Sequence, residues 1–292
     1  MNPPKTNPKN DRIKREYLVW LKEAKQRSPA TVDEVRHAID RLEAYTGYKD
    51  FATFNKDQAV AFKQALMTGK AERTGKPVSL ATHHHTLQAI KDFLSWLQGQ
   101  PNYRRRIKPG DIAYLNLTMG EEREAHTASP KVYPIFEDFR AAILAMPAGT
   151  ETERRDQALM AFLLATGMRD AALAGLKLKH VSIEKSRVFQ DPRDVKTKFR
   201  KSIETFFFPV GDDILAIVQN WVTFLTDEKH FGPDDPVFPK TEVAPNDAGN
   251  FAPAGLSRAH WADAAPVRKI FKAAFRRIGL AYASPHSVRR TL

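Results

Sequence analysis

The sequence predicts a mainly α-helical protein with a small antiparallel β-sheet, arranged as an N-terminal helical bundle followed by an α+β part. Three observations carry this expectation. Apolar residues recur at helical spacing along most of the 292 residues, they switch to a strand-like pattern only between about 181 and 210, and the helical period disappears over 99–131. A hydrophobic content of 42% is enough to bury a sizeable core.

Residues 1–15 are rich in Pro, Asn and Lys without an apolar core, so neither a secretory signal nor an anchor is expected there, and 1–10 are expected to form a disordered tail. Ile13, Tyr17, Trp20 and Leu21 then mark a first helix ending near Ser28-Pro29. Thr31 and Glu34 have capping-box spacing ahead of Val32, Val35, Ile39 and Leu42, a second helix that stops at Gly47. Ala59, Phe62 and Leu66 define a third. Leu87, Ile90, Phe93, Leu94 and Leu97 line the inner face of a fourth over 80–97. Four amphipathic helices within 11–100 make a small bundle.

The stretch 101–131 is expected to be a basic inter-domain linker carrying Arg104, Arg105 and Arg106, either laid along a polyanion or simply solvated. From 132 to 292 a second domain follows, with helices over 135–146 and 154–165, a tight Thr166-Gly167 turn, and a short helix through Leu176. Val181, Ile183, Val188, Phe189, Ile203, Thr205 and Phe207 suit short strands with polar turns at 184–186 and 198–201. Asp212 is placed at the cap of a helix bearing Trp221, a Pro- and Gly-rich loop fills 229–257, and helices occupy 266–278 and the last residues from Ser284. Trp221 and Phe206-Phe207-Phe208 are assigned to the core.

The formal charge of +12, with the basic excess spread over both halves, favours a polyanionic partner through phosphate neutralisation. The absence of cysteine excludes disulfides, a thiolate nucleophile and Cys-based zinc sites, and fits a reducing cytoplasm. No run approaches the roughly 18 apolar residues of a membrane helix. Gly-rich phosphate loops and paired-carboxylate metal sites are also missing from the pattern, so no cofactor or metal is expected.

The residues that could carry chemistry lie in three places. Arg169 follows the Thr-Gly turn between two apolar helical segments, where its planar fork suits a phosphate; the bland reading is a helix cap or a pair with Asp170. Lys196 stands where the chain enters a strand hairpin, and is preferred over its neighbour Lys198. His286 and Arg289, at i and i+3 after Ser284-Pro285, share one helical face. Two Arg, one Lys and one His can stabilise a pentavalent phosphate without a metal.

The order of these features resembles the tyrosine site-specific recombinases, the phage integrase family. Leu163-Leu164-Ala165-Thr166-Gly167-Met168-Arg169 is similar to the family's first-arginine box, Lys196-Thr197 to its hairpin lysine, and Pro285-His286-Ser287-Val288-Arg289-Arg290 to its His-x-x-Arg box. The resemblance implies a SAM-like core-binding bundle at 11–100 and a DNA breaking-rejoining catalytic domain at 132–292, expected as a two-domain clamp on duplex DNA. It also implies dimers to tetramers on that DNA, and a cytoplasmic, nucleoid-associated protein. Arg169 and Arg289 would bind non-bridging phosphate oxygens, Lys196 would protonate the leaving 5′-oxygen, and His286 would assist proton transfer or orient the phosphate. A tyrosine hydroxyl would attack to leave a 3′-phosphotyrosyl link.

Two departures from the family pattern follow. The carboxylate often found three residues after the first arginine is replaced by Ala172. The family's further His or Trp box and its nucleophilic Tyr come after His-x-x-Arg, so the catalytic domain is expected to be incomplete at its C-terminus, binding DNA without cutting it unless a partner protomer supplies the tyrosine. Two rival readings remain open: a non-catalytic DNA-binding relative that occupies recombination sites, and a type IB topoisomerase. For direct DNA contact the sequence nominates His83, His84, Lys91, Arg104, Arg105, Arg106, Lys198 and Arg290. Adjacent histidines at 83–85 diverge by about 100° on a helix and cannot share one metal.

Overall fold

A computed structural model describes residues 6–70, 75–127 and 132–292, with Lys198 described by its backbone alone. The chain forms two compact units, 1–130 and 131–292. The expected fold class holds: helices dominate both units, and among the described residues the strands lie in the second.

The first unit begins earlier than the sequence suggested. Helix α1, Pro8–Val19, is capped by Asn7, whose side chain accepts from the Lys9 and Asn10 amides, and Pro8 sits at a first-turn position that needs no donor. Asn10, assigned to the disordered tail, is wholly buried; it donates to Glu43 and to the Lys49 carbonyl, each at 2.9 Å. Residues 1–5 of that tail lie outside the described residues. The helix runs on into a π-helical turn, Trp20–Ala24. Helix α2, Pro29–Tyr45, is capped by Ser28 in place of the Thr31–Glu34 box, because Pro29 again fits the first turn. Helices α3, Lys56–Thr68, and α4, Leu80–Gln98, follow, capped by Asn55 and Ser79.

The stretch 101–131 does not behave as a linker over its described part. Tyr103, Ile107, Ile112 and Leu115 are buried in the same core as Phe93 and Leu94, on and around the short helix α5, Pro109–Ala113. Helix α6, Met119–His126, then packs on α4. Helices this short offer only one or two inward positions each, so no repeating period forms.

The second unit is built around α8, Glu151–Thr166, buried without a break from Ala158 to its end. Around it lie α7, Phe136–Leu144, α10, Asp212–Thr223, and α11, Ala265–Arg277. Gly211 occupies the N-cap of α10, and Asp212 is its first helical residue. Trp221 is buried as expected and donates to the Val237 carbonyl at 2.8 Å. Short helix α9, Asp170–Leu173, leads to a three-stranded antiparallel sheet in the order β1, Val181–Ser182, β2, Arg187–Gln190, and β3, Ile203–Phe206. Of the three phenylalanines assigned to the core, Phe207 packs against it, whereas Phe206 and Phe208 are exposed, as strand alternation requires. The loop expected over 229–257 contains a second antiparallel pair, β4, Thr241–Pro245, and β5, Phe251–Leu256, with an irregularity at Glu242/Val243. Helix α12, Pro285–Thr291, ends the chain.

Candidate phosphate-binding site

The site starts from the end of α8. Gly167 adopts φ 57°, a left-handed cap conformation that glycine enters without the clash a Cβ would bring, and its N–H donates to the Leu163 carbonyl. The Thr166 hydroxyl donates to the Phe162 carbonyl at 2.7 Å and accepts from the Met168 amide at 3.3 Å. The turn therefore delivers a rigid backbone to Arg169, the N-cap of α9, whose carbonyl accepts from Ala172 and Leu173.

Helix α12 approaches the same turn from the other end of the unit. The Ser284 amide donates to the Ser287 hydroxyl at 3.1 Å, and the Thr291 hydroxyl donates to the Pro134 carbonyl at 2.7 Å, fixing both ends of the helix. Buried Val288 and Ser287 hold its inner face, which directs Arg289 so that its Nη1 donates to the Gly167 carbonyl at 2.6 Å. Burial, and then the positive charge of Arg169, push the Arg289 guanidinium below its ordinary pKa. Among the described residues no carboxylate pairs with either arginine. The nearest acid in sequence, Asp170, is held by Arg268 of α11 at 2.6 Å and does not bridge to Arg169. Two guanidinium groups close enough to repel, with no acid between them, favour an anion that both can reach.

Lys196 lies on the β2–β3 connection, whose base is clamped by ion pairs. Asp194 accepts from Lys177 at 2.7 Å, Lys179 at 3.0 Å and His180 Nε2 at 3.1 Å, and these bonds hold its carboxyl far below the usual range. His180 Nδ1 accepts from the Lys177 amide, which leaves the ring proton on Nε2, facing Asp194. Gly175 allows this close approach, since a Cβ there would stand 3.2 Å from the Asp194 carbonyl oxygen. One step earlier, hydrogen bonds from Arg193 lower Asp191 to about 2. Exposed Lys196 lines a hollow of about 390 Å³ with Ala171 and Gly175, which follow Arg169, and with Trp261 and Arg268. Beyond it Phe199 and Arg200 have φ 60° and 52°, two successive non-glycine residues in the left-handed region.

The structure thus brings Arg169 and Arg289 together, sets exposed His286 one turn before Arg289, and places Lys196 beside the helix that Arg169 begins. The residues nominated for direct DNA contact fare unevenly. His83 is 3% exposed, packed inside the bundle, and cannot reach a groove. His84 is largely covered by α6, standing 3.7 Å from Glu122 and edge-on to His126. The Lys91 ammonium donates to Asn116 at 2.8 Å. Arg104, Arg105 and Arg106 are exposed and line a concavity with Lys9 and Arg12, two cations that sequence reasoning left in the tail or passed over. Arg290 is exposed, and the Lys198 side chain lies outside what is described. The clamp of Lys177, Lys179, His180 and Asp194 was also missed; the only signal in the sequence is a basic run at 177–180 with an acid at 194. No group of three or more acidic or histidine side chains is placed to hold a metal among the described residues.

The sequence profile of the phage integrase family matches residues 137–292. The tyrosine recombinase XerC of Salmonella typhi is 21% identical over 217 residues, which cover 73% of this chain and 65% of that protein. The match therefore spans less than two thirds of that relative's length. Among solved structures, a lambda integrase dimer bound to a core site aligns with a TM-score of 0.62 at 12% identity, over 96% of this chain and 84% of that one. The XerH site-specific recombinase bound to its palindromic difH substrate aligns with a TM-score of 0.57 at 16% identity, over 92% and 69% of the two chains.

Proposed function

The chain belongs to the phage integrase family, and we propose that it acts in site-specific DNA recombination, binding duplex DNA and holding one phosphodiester between Arg169 and Arg289. The observation that carries this reading is the approach of the two guanidinium groups across the Gly167 turn, with Asp170 drawn away by Arg268.

In this reading Arg169 and Arg289 each take a non-bridging oxygen and offset the charge that grows as the phosphorus becomes five-coordinate. A tyrosine hydroxyl supplied from outside this Arg, Lys and His set attacks in line: its O–P bond forms while the bond from phosphorus to the 5′-oxygen breaks. Lys196 gives its proton to that departing oxygen, and His286 orients the phosphate or relays the proton lost by the tyrosine. Bond energy is kept in the phosphotyrosyl link, so rejoining needs no nucleotide. Loss of either arginine costs roughly 10²- to 10³-fold in the rate of strand cleavage. The net charge of +12 and the exposed Arg104–Arg106 surface supply affinity that is independent of base sequence. Dimers to tetramers on DNA complete the proposal.

Gel shifts on a duplex between 50 and 200 mM salt test the binding step. Affinity is expected to fall steeply with salt, and Arg169→Ala or Arg289→Ala to reduce the slope of log K against log salt by about 1 each. A flat salt response, or slopes unchanged in both variants, overturns the reading.

A further inference from the structure

Resting on the DNA reading above, we infer that Phe199 is a base-stacking wedge, which enters the duplex beside the phosphate that Lys196 serves. Phe199 is 77% exposed, although burial of a phenylalanine ring is strongly favoured in water. Its backbone, at φ 60° and ψ 21°, and that of Arg200, at φ 52°, occupy a region that L side chains rarely adopt. The left-handed backbone holds the ring largely in solvent, and backbone strain of this kind is concentrated at contact sites.

The surrounding charge says what the ring meets. Residues 195–202 contain Lys196, Lys198, Arg200 and Lys201 and no acid. The carboxylates nearest in sequence are already taken: Asp191 by Arg193 at 2.6 Å, Asp194 by Lys177 at 2.7 Å, and Glu204 by Arg187 at 2.6 Å. Among the described residues no ion pair holds Lys196, Arg200 or Lys201. An exposed ring inside a cationic loop matches a ligand with a polyanionic backbone and flat apolar faces within it, which is a nucleic acid. Three residues of chain reach at most about 10 Å, so Phe199 falls within about three base steps of the phosphate beside Lys196. The clamp at Asp194 gives the loop a fixed base from which to insert. The exposed Phe189 and Phe206 differ: they stand on the outer face of the sheet, in register with Glu204 and Arg187.

A wedge between base pairs unwinds DNA, so the test is closure of a nicked plasmid by DNA ligase with the full chain bound, followed by deproteinisation and separation of topoisomers. Wild type is expected to leave circles of reduced linking number. Phe199→Gly keeps the left-handed backbone without strain while removing the ring. It is expected to bind a duplex about tenfold more weakly and, at equal occupancy, to leave the linking number unshifted; Phe199→Trp keeps both properties. A Phe199→Gly shift equal to wild type, or wild-type binding with no shift, overturns the wedge alone. Failure of wild type to bind the plasmid overturns the DNA reading together with it.

Discussion

Arg289 Nη1 donates to the carbonyl oxygen of Gly167 at 2.6 Å, joining residues 122 positions apart. The bond couples the last helix to the turn that presents Arg169. The backbone of one sequence box thus positions the side chain of another, and a neutral acceptor holds Arg289 within the field of Arg169 without cancelling either charge.

Gly167→Ala is expected to destabilise the protein by about 1–2 kcal/mol, the cost of placing a Cβ in the left-handed region. The added methyl would meet Leu292 and Phe208 at 3.4 and 3.5 Å, ordinary contact distances, so the loss comes from the backbone. Urea denaturation measures it, and an unchanged midpoint contradicts the conformational argument.

Arg155, buried in α8, donates to the Pro239 carbonyl, to the Thr241 hydroxyl and to Asp156, and lies 5.3 Å from the Trp261 ring. Arg155→Ala strands the Asp156 carboxyl, whose pKa burial already raises. Because Asp156 keeps some exposure, the expected loss is about 3 kcal/mol, at the low end for a broken buried pair. Thermal unfolding checks this; a shift within error would show that the contacts are dispensable.

His83 has its pKa lowered by burial and by the nearby charge of Arg41, so the folded protein prefers the neutral ring. The unfolded chain takes up the proton first as pH falls through about 6.5, so stability decreases from that point until the folded value is reached. Between pH 7.5 and 5.5, His83→Gln is expected to flatten the pH dependence of the unfolding midpoint. Parallel curves for the two proteins would remove His83 as the cause.

Asp194→Asn removes the charge that Lys177, Lys179 and His180 share. Tryptic cleavage within 196–201 should accelerate severalfold at neutral pH while the global unfolding midpoint moves little. The acid limb has the same origin. Both Asp191 and Asp194 have depressed folded pKa values, so their contribution is complete above about 4 and is lost as pH falls below it. Equal cleavage rates in wild type and variant would show that the clamp does not hold the loop.

Most long elements were legible because their inward residues repeat often enough to register: Leu87, Ile90, Phe93, Leu94 and Leu97 mark α4 without ambiguity. Short elements escaped. Helix α5 has five residues and one buried position, and β4–β5 contain Pro245, Pro253 and Gly255, which read as loop signals. Helix starts moved where a preceding side chain capped better, as Ser28 does for α2. Among the nominated site residues, Arg289 reaches the turn that leads into Arg169 and feels its charge. His83 was misplaced although it stands four residues before Leu87 and seven before Ile90, and so continues the inward period of α4.

What the sequence determined by itself is local: the helical periods, the strand alternation, the Thr-Gly turn before Arg169, the i,i+3 pairing of His286 with Arg289, and the positive balance of charge. Each depends on residues only a few positions apart, where chain geometry is nearly fixed. Tertiary structure alone decided that Asp170 turns to Arg268, that Arg289 reaches the Gly167 carbonyl, that Asp194 locks the lysine loop and that Phe199 stays outside. Those outcomes join segments tens of residues or more apart. Which polar partners meet there is settled by how the intervening apolar surfaces pack, and no short window of residues contains that information.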